Sequence, residues 1–433
     1  MSDFLQVSTH QASFNGNTVP LENLCISITD CPHSTPKWTD DGLIVLRSNN
    51  IKGGVLDLSA PSYTDPLAFQ ERIKRATPEA GDIVITREAP MGEVCLIPDG
   101  LKCCLGQRMV LLKVDPTKIS SQYLLFALQS EFVQKQIRKS DRTGSTVSNL
   151  CIPDLKALEI PILFNTDGIA AILKSITGKI ELNNRINAEL EAMAKTLYDY
   201  WFVQFDFPDA NGKPYKTSGG KMVYNPTLKR EIPEGWSDCI LGDHVTFKRG
   251  VSYRSGDIQD EGVPFLNLNS FSLSGEFKQT GTKYFNGKFK PESKLDAGEL
   301  VIAITDVTRN ADIIGKAFVI PDIFDEKPLI SCDVACVSSK TFGVAYLEQL
   351  FNSNSYHKYI KHFASGTLVL HLDLQGVKWF KTHLPPKNLL DNYNKHCSSL
   401  FKQRDIVLKE NVYLESLRDW LLPMLMNGQV TVK

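Results

Sequence analysis

Three short motifs in this sequence have residue types that could do chemistry, and each lacks the companions that its chemistry needs. Cys332 and Cys336 have the spacing of two metal ligands, but no CxxC pair accompanies them. The run Glu292–Lys294 fits the end of a metal-nuclease signature, without a suitably placed upstream acidic residue. No GxxxxGKS/T pattern surrounds Gly144 or Gly366, so both predict backbone turns. We therefore expect no catalytic residue, no metal site and no cofactor.

A larger set of polar residues has the types that read DNA. Arg and Lys pair with guanine edges, Asn and Gln pair with adenine edges, and small polar or basic groups contact phosphates. In the first half of the chain these residues are His33, Ser34, Thr35, Lys37, Arg47, Asn49, Asn50, Arg87, Gln107 and Arg108. In the second half they are Lys248, Arg249, Tyr253, Arg254, Asn267 and Asn269. Each of them is equally compatible with an ordinary solvated surface.

Basic residues also recur at the end of one predicted helix in each half. They are Lys135, Arg138, Lys139 and Arg142 in the first half, and Lys358, Lys361 and His362 in the second. Their recurrence favours anchoring of DNA phosphates, although a solvated helix face explains them nearly as well.

The predicted strands and helices that must position these residues occur as an internal repeat, with the two copies about 220 residues apart. The alternating strand pattern GDIVITREAP from Gly81 has a counterpart in GELVIAITDV from Gly298. The helical pattern from Leu124 matches that from Leu347, and each leads into a glycine-centred loop. The order of elements predicts two similar domains that combine helices and strands.

A long amphipathic helix follows each copy. Over 167–202 and 389–422, apolar residues recur in steps of three and four, as they do in coiled-coil seams. Arg404 and Asn411 fall on the second seam, where polar side chains cost stability and can fix register. We expect the second helix to end before Pro423.

The simplest arrangement is a dumbbell, in which an antiparallel helix pair holds two globular domains apart. A helix of about 35 residues spans about 50 Å, and one turn of duplex DNA is about 34–36 Å long. Such a pair could act as a ruler between two half-sites. The alternative is that each helix packs on the core of its own domain. Residues 203–236 form a linker rich in turns, with aromatic residues that can anchor it.

Composition limits the protein classes. The chain has 433 residues and 42% hydrophobic content, which suits two or three domains. No apolar run reaches the roughly 20 residues of a membrane span, and the N-terminal sequence lacks a secretory pattern, so we expect a cytoplasmic protein. The ten scattered cysteines predict no disulfide framework. A net charge of -1 argues against coating nucleic acid by bulk charge, but not against local basic patches.

The chain also resembles the specificity subunits of type I restriction-modification systems, over almost its whole length. The resemblance is carried by DCPHSTPKW from Asp30, LYDYWFVQFDFPDANGKPYKTSGG from Leu197, IPEGW from Ile232, LGDHVTFKRG from Leu241 and LRDWLLPMLMNGQV from Leu417. It implies a non-catalytic subunit with two target-recognition domains, each of which reads one half of a bipartite DNA sequence.

The expected fold class is α/β (α+β), with two target-recognition domains separated by the long antiparallel helices. We expect the first recognition domain at 1–163, the first spacer helix at 164–204, a central linker at 205–235, the second recognition domain at 236–386, the second spacer helix at 387–428 and a tail at 429–433.

The resemblance further implies protein partners. Two adenine methyltransferase subunits dock on a specificity subunit of this family, and ATP-driven translocase and nuclease subunits add to that core. We place the methyltransferase contact on the helix ends and the linker, at Tyr198, Trp201, Phe202, Phe205, Phe207, Trp420 and Leu421.

Other functions stay open at this stage. A scaffold with two globular domains could bind only proteins and never touch DNA. A DNA methyltransferase acting alone would need a motif such as DPPY or NPPF, which the sequence lacks. Within the family, the subunit could serve a methylation-only system without a nuclease.

Overall fold

The structure is a computed structural model that describes residues 14, 16–140, 149–308 and 310–432. The chain divides into two compact units. Unit 1 contains residues 1–180 and 413–433, and unit 2 contains residues 181–412. Both boundaries fall within long helices, so each unit combines a globular part with segments of two helices.

The globular part of unit 1 is built from short strands and short helices. The strands are β1 (Thr18–Pro20), β2 (Cys25–Asp30), β3 (Trp38–Thr39), β4 (Leu43–Leu46), β5 (Ile51–Lys52), β6 (Val55–Leu56), β7 (Ser62–Thr64), β8 (Ile83–Thr86), β9 (Val94–Leu96), β10 (Cys103–Leu105), β11 (Met109–Val114) and β12 (Glu159–Pro161). The helices are α1 (Pro66–Ile73), α2 (Ser121–Gln129), α3 (Glu131–Lys139) and α4 (Ile152–Lys156). The helix α5 (Thr166–Tyr198) then runs from unit 1 into unit 2, where a π-helical turn, Asp199–Val203, continues it.

The main sheet of unit 1 has the strand order β2-β11-β8-β9, with antiparallel neighbours. Successive side chains of a strand point to opposite faces, so the buried strand β8 supplies two cores. Ile83 and Ile85 pack with α2 and α3, whereas Val84 packs against the second sheet, β10-β4-β7-β3. The continuous apolar run of this strand therefore reflects burial on both faces.

Unit 2 contains a second series of strands and helices. The strands are β13 (Met222–Asn225), β14 (Arg230–Pro233), β15 (Ser237–Ile240), β16 (Val245–Arg249), β17 (Ile258–Gln259), β18 (Val263–Leu266), β19 (Lys283–Phe285), β20 (Leu300–Ala303), β21 (Thr305–Asp306), β22 (Ala317–Val319), β23 (Leu329–Ile330), β24 (Val334–Ser339), β25 (Ala364–Ser365), β26 (Leu370–Leu372) and β27 (Lys381–Leu384). The helices are α6 (Val344–Asn352), α7 (Asn354–Ile360), α8 (Leu374–Trp379) and α9 (Lys387–Met426), whose last turns belong to unit 1.

The sheets of unit 2 repeat those of unit 1. The main sheet, β16-β24-β20-β22, matches β2-β11-β8-β9, and the second sheet, β23-β18-β19-β17, matches β10-β4-β7-β3. The same alternation divides the main strand, because Leu300 and Ile302 pack with α6 while Val301 and Ala303 face the second sheet. The predicted internal repeat of mixed α/β domains is confirmed.

The helices α5 and α9 pair in opposite directions. Within unit 1, Leu173 near the start of α5 shares a core with Leu425 near the end of α9. Within unit 2, Tyr198 at the end of α5 lies beside Tyr393 near the start of α9, with ring centroids 6.4 Å apart. The predicted antiparallel pair is confirmed.

The end of α9 differs from the expectation. The helix continues through Pro423 to Met426 and does not stop before the proline. A proline removes one backbone donor from the helix. Burial of Leu425 and Met426 in the core of unit 1 offsets that loss, and the Pro423 carbonyl still accepts a bond from the N–H of Asn427 at 2.9 Å.

The two polar residues of the predicted seam have different roles. Asn411 lies between the helices, where its Oδ1 accepts a bond from Asn183 Nδ2 at 2.9 Å and its Nδ2 donates to Asn184 Oδ1 at 2.8 Å. Arg404 instead faces the globular part of unit 2 and donates to the Val319 carbonyl at 3.4 Å. Of these two residues, Asn411 is the one placed between the helices, where a polar side chain can help to set their register.

Candidate DNA interface

The main sheet of unit 1 gathers polar residues at one edge. β2 ends at Asp30, β8 ends just before Arg87, and β11 begins just after Arg108. The antiparallel register of these three strands places the three points at the same edge. Residues that are far apart in the sequence therefore form one polar surface.

The loop 31–37 follows β2 at this edge. It exposes four of the predicted DNA-contacting side chains, which are His33, Ser34, Thr35 and Lys37. His33 Nε2 lies 3.1 Å from Asp30, and Lys37 Nζ lies 3.0 Å from Asp65. Gln107, half-buried, donates from Nε2 to the His33 carbonyl. Ion pairs and a hydrogen bond thus hold both ends of the loop, while most of its side chains face solvent.

Arg72 on α1 holds the same loop and was not singled out in the sequence. This residue is buried, and its Nε donates to the Leu105 carbonyl at 2.7 Å. Its two terminal nitrogens donate to the carbonyls of Ser34 at 3.0 Å and Pro32 at 3.1 Å. Burial lowers the pKa of the Arg72 guanidinium. One cation that satisfies three carbonyls fixes the path of the loop.

Two predicted contacts of unit 1 lie inside the fold. Arg87 is buried and donates to the Leu150 carbonyl and to Asp30, both at 2.8 Å. Asn50 is buried too, accepts from the Arg47 N–H at 2.9 Å and donates to the Asp57 carbonyl at 3.0 Å. Because these bonds satisfy buried polar groups of the fold, neither side chain is available to DNA in this structure.

The remaining predicted residues of this half are exposed. Asn49 has an open side chain, and the Arg47 guanidinium lies 5.2 Å above the ring of Trp38. Arg108 has a left-handed backbone with φ of 69°, and its Nε lies 3.1 Å from Glu88. An exposed ion pair of this kind contributes little stability, so Arg108 can exchange the carboxylate for another anion.

Unit 2 presents the corresponding edge. β16 ends at Arg249, and β20 ends at Ala303 opposite the start of β24. The exposed predicted residues of unit 2 are Lys248, Arg249, Tyr253, Arg254 and Asn269, the last of which follows β18 of the second sheet. Gly250 allows the chain to pass close to β23, because a Cβ at this position would lie 2.1 Å from the Ile330 carbonyl oxygen.

Asn267 is the exception in unit 2. It is buried, and its Oδ1 accepts a bond from the Asn269 N–H at 2.8 Å while its own N–H donates to Ser270 Oγ at 3.2 Å. These bonds cap the turn Leu268–Ser270, which corresponds to the turn Ser48–Asn50 of unit 1, so Asn267 is a structural residue. The sequence pattern does not show that Asn267 points into the fold and that Asn269 is exposed.

The basic helix ends are partly neutralised in unit 1. Lys135 and Arg138 lie 3.8 and 2.5 Å from the same carboxylate oxygen of Glu131. Arg142 lies outside the described residues. In unit 2, Lys358 is exposed and Lys361 is half-buried.

Within the ranges that the structure describes, no group of three or more His, Cys, Asp and Glu side chains is arranged to hold a metal. Cys336 is buried, and burial raises the pKa of its thiol to about 12. In the same ranges, no helix is long and apolar enough to cross a bilayer.

Comparisons with known proteins bear on this arrangement. A family model described as the type I restriction modification DNA specificity domain matches residues 35–192. The type I restriction enzyme MjaIX specificity subunit of Methanocaldococcus jannaschii is 24% identical over 364 residues, which cover 82% of this chain and 78% of that protein. The HindI specificity subunit of Haemophilus influenzae is 24% identical over 318 residues, 63% of this chain and 69% of that protein. Residues 35–192 thus match the type I specificity domain, and most of the chain is similar to type I specificity subunits.

The fold agrees with that similarity. A crystal structure of a type I restriction-modification S subunit from M. genitalium superimposes with a TM-score of 0.55 at 18% identity, covering 97% of both chains. A specificity subunit is not by itself the catalyst of its system, which agrees with the expected lack of a catalytic residue.

Most residues expected to bind a partner lie in the interior of unit 2. Those at the end of α5 and in the linker are core residues of unit 2, namely Tyr198, Trp201, Phe202, Phe205 and Phe207. The ring of Phe202 lies 4.9 Å from the rings of both Tyr346 and Tyr393, and Phe205 lies 5.4 Å from Trp236. Their aromatic pattern marks a core, so these five positions are corrected to structural roles.

The expected partner residues of α9 have a different setting. Trp420 is 43% exposed, and Leu421 is half-buried against the core of unit 1. Tyr413 and Leu417 are 66% and 41% exposed on the same helix. With Trp420 they recur in steps of four and three, which places them on one face of α9. An apolar stripe that faces solvent is typical of a protein contact.

Proposed function

We propose that this specificity subunit binds duplex DNA with the polar sheet edges of its two units, each reading one half of a bipartite sequence. The observation that carries the proposal is the repetition of one exposed polar edge in both units. In unit 1 this edge carries His33 and Arg108, and in unit 2 it carries Arg249 and Arg254. Arginine donors suit both guanine edges and phosphates, which a reader of base sequence needs.

Two kinds of contact follow from the local geometry. The exposed basic residues at the ends of α3 and α7 are suited to phosphates, since they lie on helices and carry flexible side chains. The loop residues held by Arg72 and Gln107 are suited to base edges, because fixed backbones position short side chains well. We assign base reading to the loops and phosphate anchoring to the helix ends.

The methyltransferase subunits dock, in this proposal, on the exposed faces of the long helices. In unit 1 the stripe of Tyr413, Leu417 and Trp420 supplies such a face. In unit 2, Leu182, Ile186 and Met193 of α5 are 39%, 36% and 55% exposed, and their spacing places them on one face of the helix. One face in each unit is consistent with two methyltransferase subunits per chain, and translocase and nuclease subunits would add to that complex.

The first experiment maps adenine methylation in a host that expresses this chain with its methyltransferase, and in a host with the methyltransferase alone. A bipartite motif that depends on this chain is the expected result, and it identifies both half-sites. A soluble complex without any new motif would instead favour a scaffold that binds only proteins.

A second experiment separates DNA contact from assembly. Lys358→Ala, near the end of α7, should weaken DNA binding by the complex and reduce the slope of log affinity against log salt by about one, as loss of one phosphate contact does. Trp420→Ala should reduce methyltransferase binding and leave unfolding of the free subunit nearly unchanged. Tyr224→Ala, at another exposed aromatic residue, is the matched control.

A further inference from the structure

A small hairpin extends from the polar edge of unit 2. β25 pairs with β26, and β26 pairs with β21, which directly follows β20 of the main sheet. Residues 366–369 close the hairpin. Gly366 has φ of 135°, and a Cβ there would lie 2.0 Å from the Val369 carbonyl oxygen, so this tight turn requires glycine.

The tip of this hairpin is apolar, although turns usually carry polar residues. Leu368 is 88% exposed and Val369 is 40% exposed. The register that pairs Asp306 with Leu370 places Val307, which is 63% exposed, beside Val369. Three solvated apolar side chains at one tip form a small patch of the kind that marks a contact with another molecule.

The segments that flank the hairpin carry basic residues and one exposed carboxylate, that of Asp373. Lys358 and His362 are exposed on the helical segment that leads into β25, and His371 is exposed on β26. The neighbouring carboxylate of Asp306 is buried, where it accepts bonds from the N–H groups of Ile313 at 2.7 Å and Ile314 at 2.9 Å. An apolar tip with a basic rim fits duplex DNA, whose base stack is apolar and whose flanking phosphates are anionic.

We infer that Leu368 is inserted as an apolar wedge at a base step of the half-site read by unit 2, while Lys358 contacts an adjacent phosphate. This inference rests on the proposed function. The corresponding segment of the first-half sequence, TGSTV from Thr143, has Thr146 where the second half, SGTLV from Ser365, has Leu368. The wedge therefore belongs to the second half-site.

The test uses the complex of this subunit with its methyltransferase and two duplexes, one with the mapped motif and one unrelated. Leu368→Ala and Leu368→Thr should each weaken binding to the motif on the order of ten-fold and leave binding to the unrelated duplex unchanged. The salt slope should stay that of the wild type, because no phosphate contact is lost. A 2-aminopurine placed at successive steps of the second half-site should become bright with the wild type at one step only, and that signal should vanish in both variants.

The matched control is Leu273→Ala, which removes another exposed leucine of unit 2, from the cleft lined by Arg404. Equal loss on both duplexes, or unchanged binding to the motif, would overturn the wedge. So would loss of methyltransferase from the Leu368 variants, because the tip would then contact protein. If the wild-type complex has no preference for any motif, the proposed function itself fails, which is a distinct result.

Discussion

Arg87 and Asp30 form a largely buried ion pair at the polar edge of unit 1, with 2.8 Å between Arg87 Nη1 and Asp30 Oδ2. The same carboxylate oxygen lies 3.1 Å from Nε2 of the exposed His33. A structural pair inside the fold thus positions a side chain outside it. Asp30 therefore holds the exposed His33 in place, while Arg87 stays buried.

Arg87→Ala should therefore act mainly on stability. Removal of one partner leaves the Asp30 charge partly buried and the Leu150 carbonyl without its donor. We expect the free energy of unfolding to fall by about 3 kcal/mol, the usual result of breaking a buried pair. Urea unfolding of the free subunit measures this. Full stability combined with lost DNA binding would show that Arg87 contacts DNA directly.

Arg72→Ala should loosen the loop 31–37, because the carbonyls of Pro32, Ser34 and Leu105 would lose their common donor. Binding to the first half-site should weaken about ten-fold, with an unchanged salt slope because no phosphate contact is removed. Binding assays with either half-site mutated locate the effect. Arg75→Ala, an exposed arginine just beyond the same helix, is the control and should bind as the wild type does.

The asparagine layer between α5 and α9 predicts non-additive mutants. Asn411→Leu should destabilise by about 1–3 kcal/mol, because the buried Asn183 amide loses one of its two acceptors and keeps only Glu410. The double variant Asn183→Leu with Asn411→Leu should recover that loss, since both polar partners are then replaced. Thermal unfolding gives the coupling. The double variant should also methylate sites with more than one spacer length, because the register is less well specified. A single spacer length would assign the register to apolar packing alone.

Glu191 predicts a pH dependence in unit 2. The pKa of its carboxyl is raised to about 8, mainly by burial; Glu276 and Glu348 also raise it, and Arg404 lowers it. Between pH 4.5 and 8 the unfolded chain releases this proton and the folded chain keeps it. The contribution of Glu191 to stability is therefore fully present below pH 4.5 and is lost as the pH rises through 8.

Glu191→Gln removes this titration. Its free energy of unfolding should exceed that of the wild type at pH 8.5 by more than it does at pH 5. Chemical unfolding at several pH values measures the difference. Glu189→Gln, at an exposed position of the same helix, should show the wild-type pH profile. Parallel profiles for wild type and Glu191→Gln would mean that Glu191 is ionised in the fold.

Hydrophobic periodicity predicted the elements that bury most of their surface. The strand around Ile83, its repeat around Val301 and both long helices have patterns that depend only on which face is apolar. The sequence pattern predicted that α9 ends before Pro423, because it does not show that Met426 packs in the core of unit 1. Local signals fail where tertiary burial compensates for a proline.

The site was predicted less well, because exposure depends on tertiary context. Arg87, Asn50 and Asn267 have the residue types of DNA readers, yet each satisfies buried polar groups. The role of Arg72 depends on which carbonyls lack a partner after folding, and no motif encodes that. The aromatic run around Trp201 shows the same ambiguity, because large rings suit both cores and interfaces.

The return of α9 to unit 1 has a consequence for biosynthesis. Leu425 and Met426 lie in the core of unit 1, while unit 2 consists of the uninterrupted stretch 181–412. A ribosome therefore finishes all of unit 2 before it delivers the last apolar residues that unit 1 requires. Until then the nascent protein exposes the core around Leu173, where chaperones can bind. A premature stop within the last turns of α9 would damage the unit that was translated first.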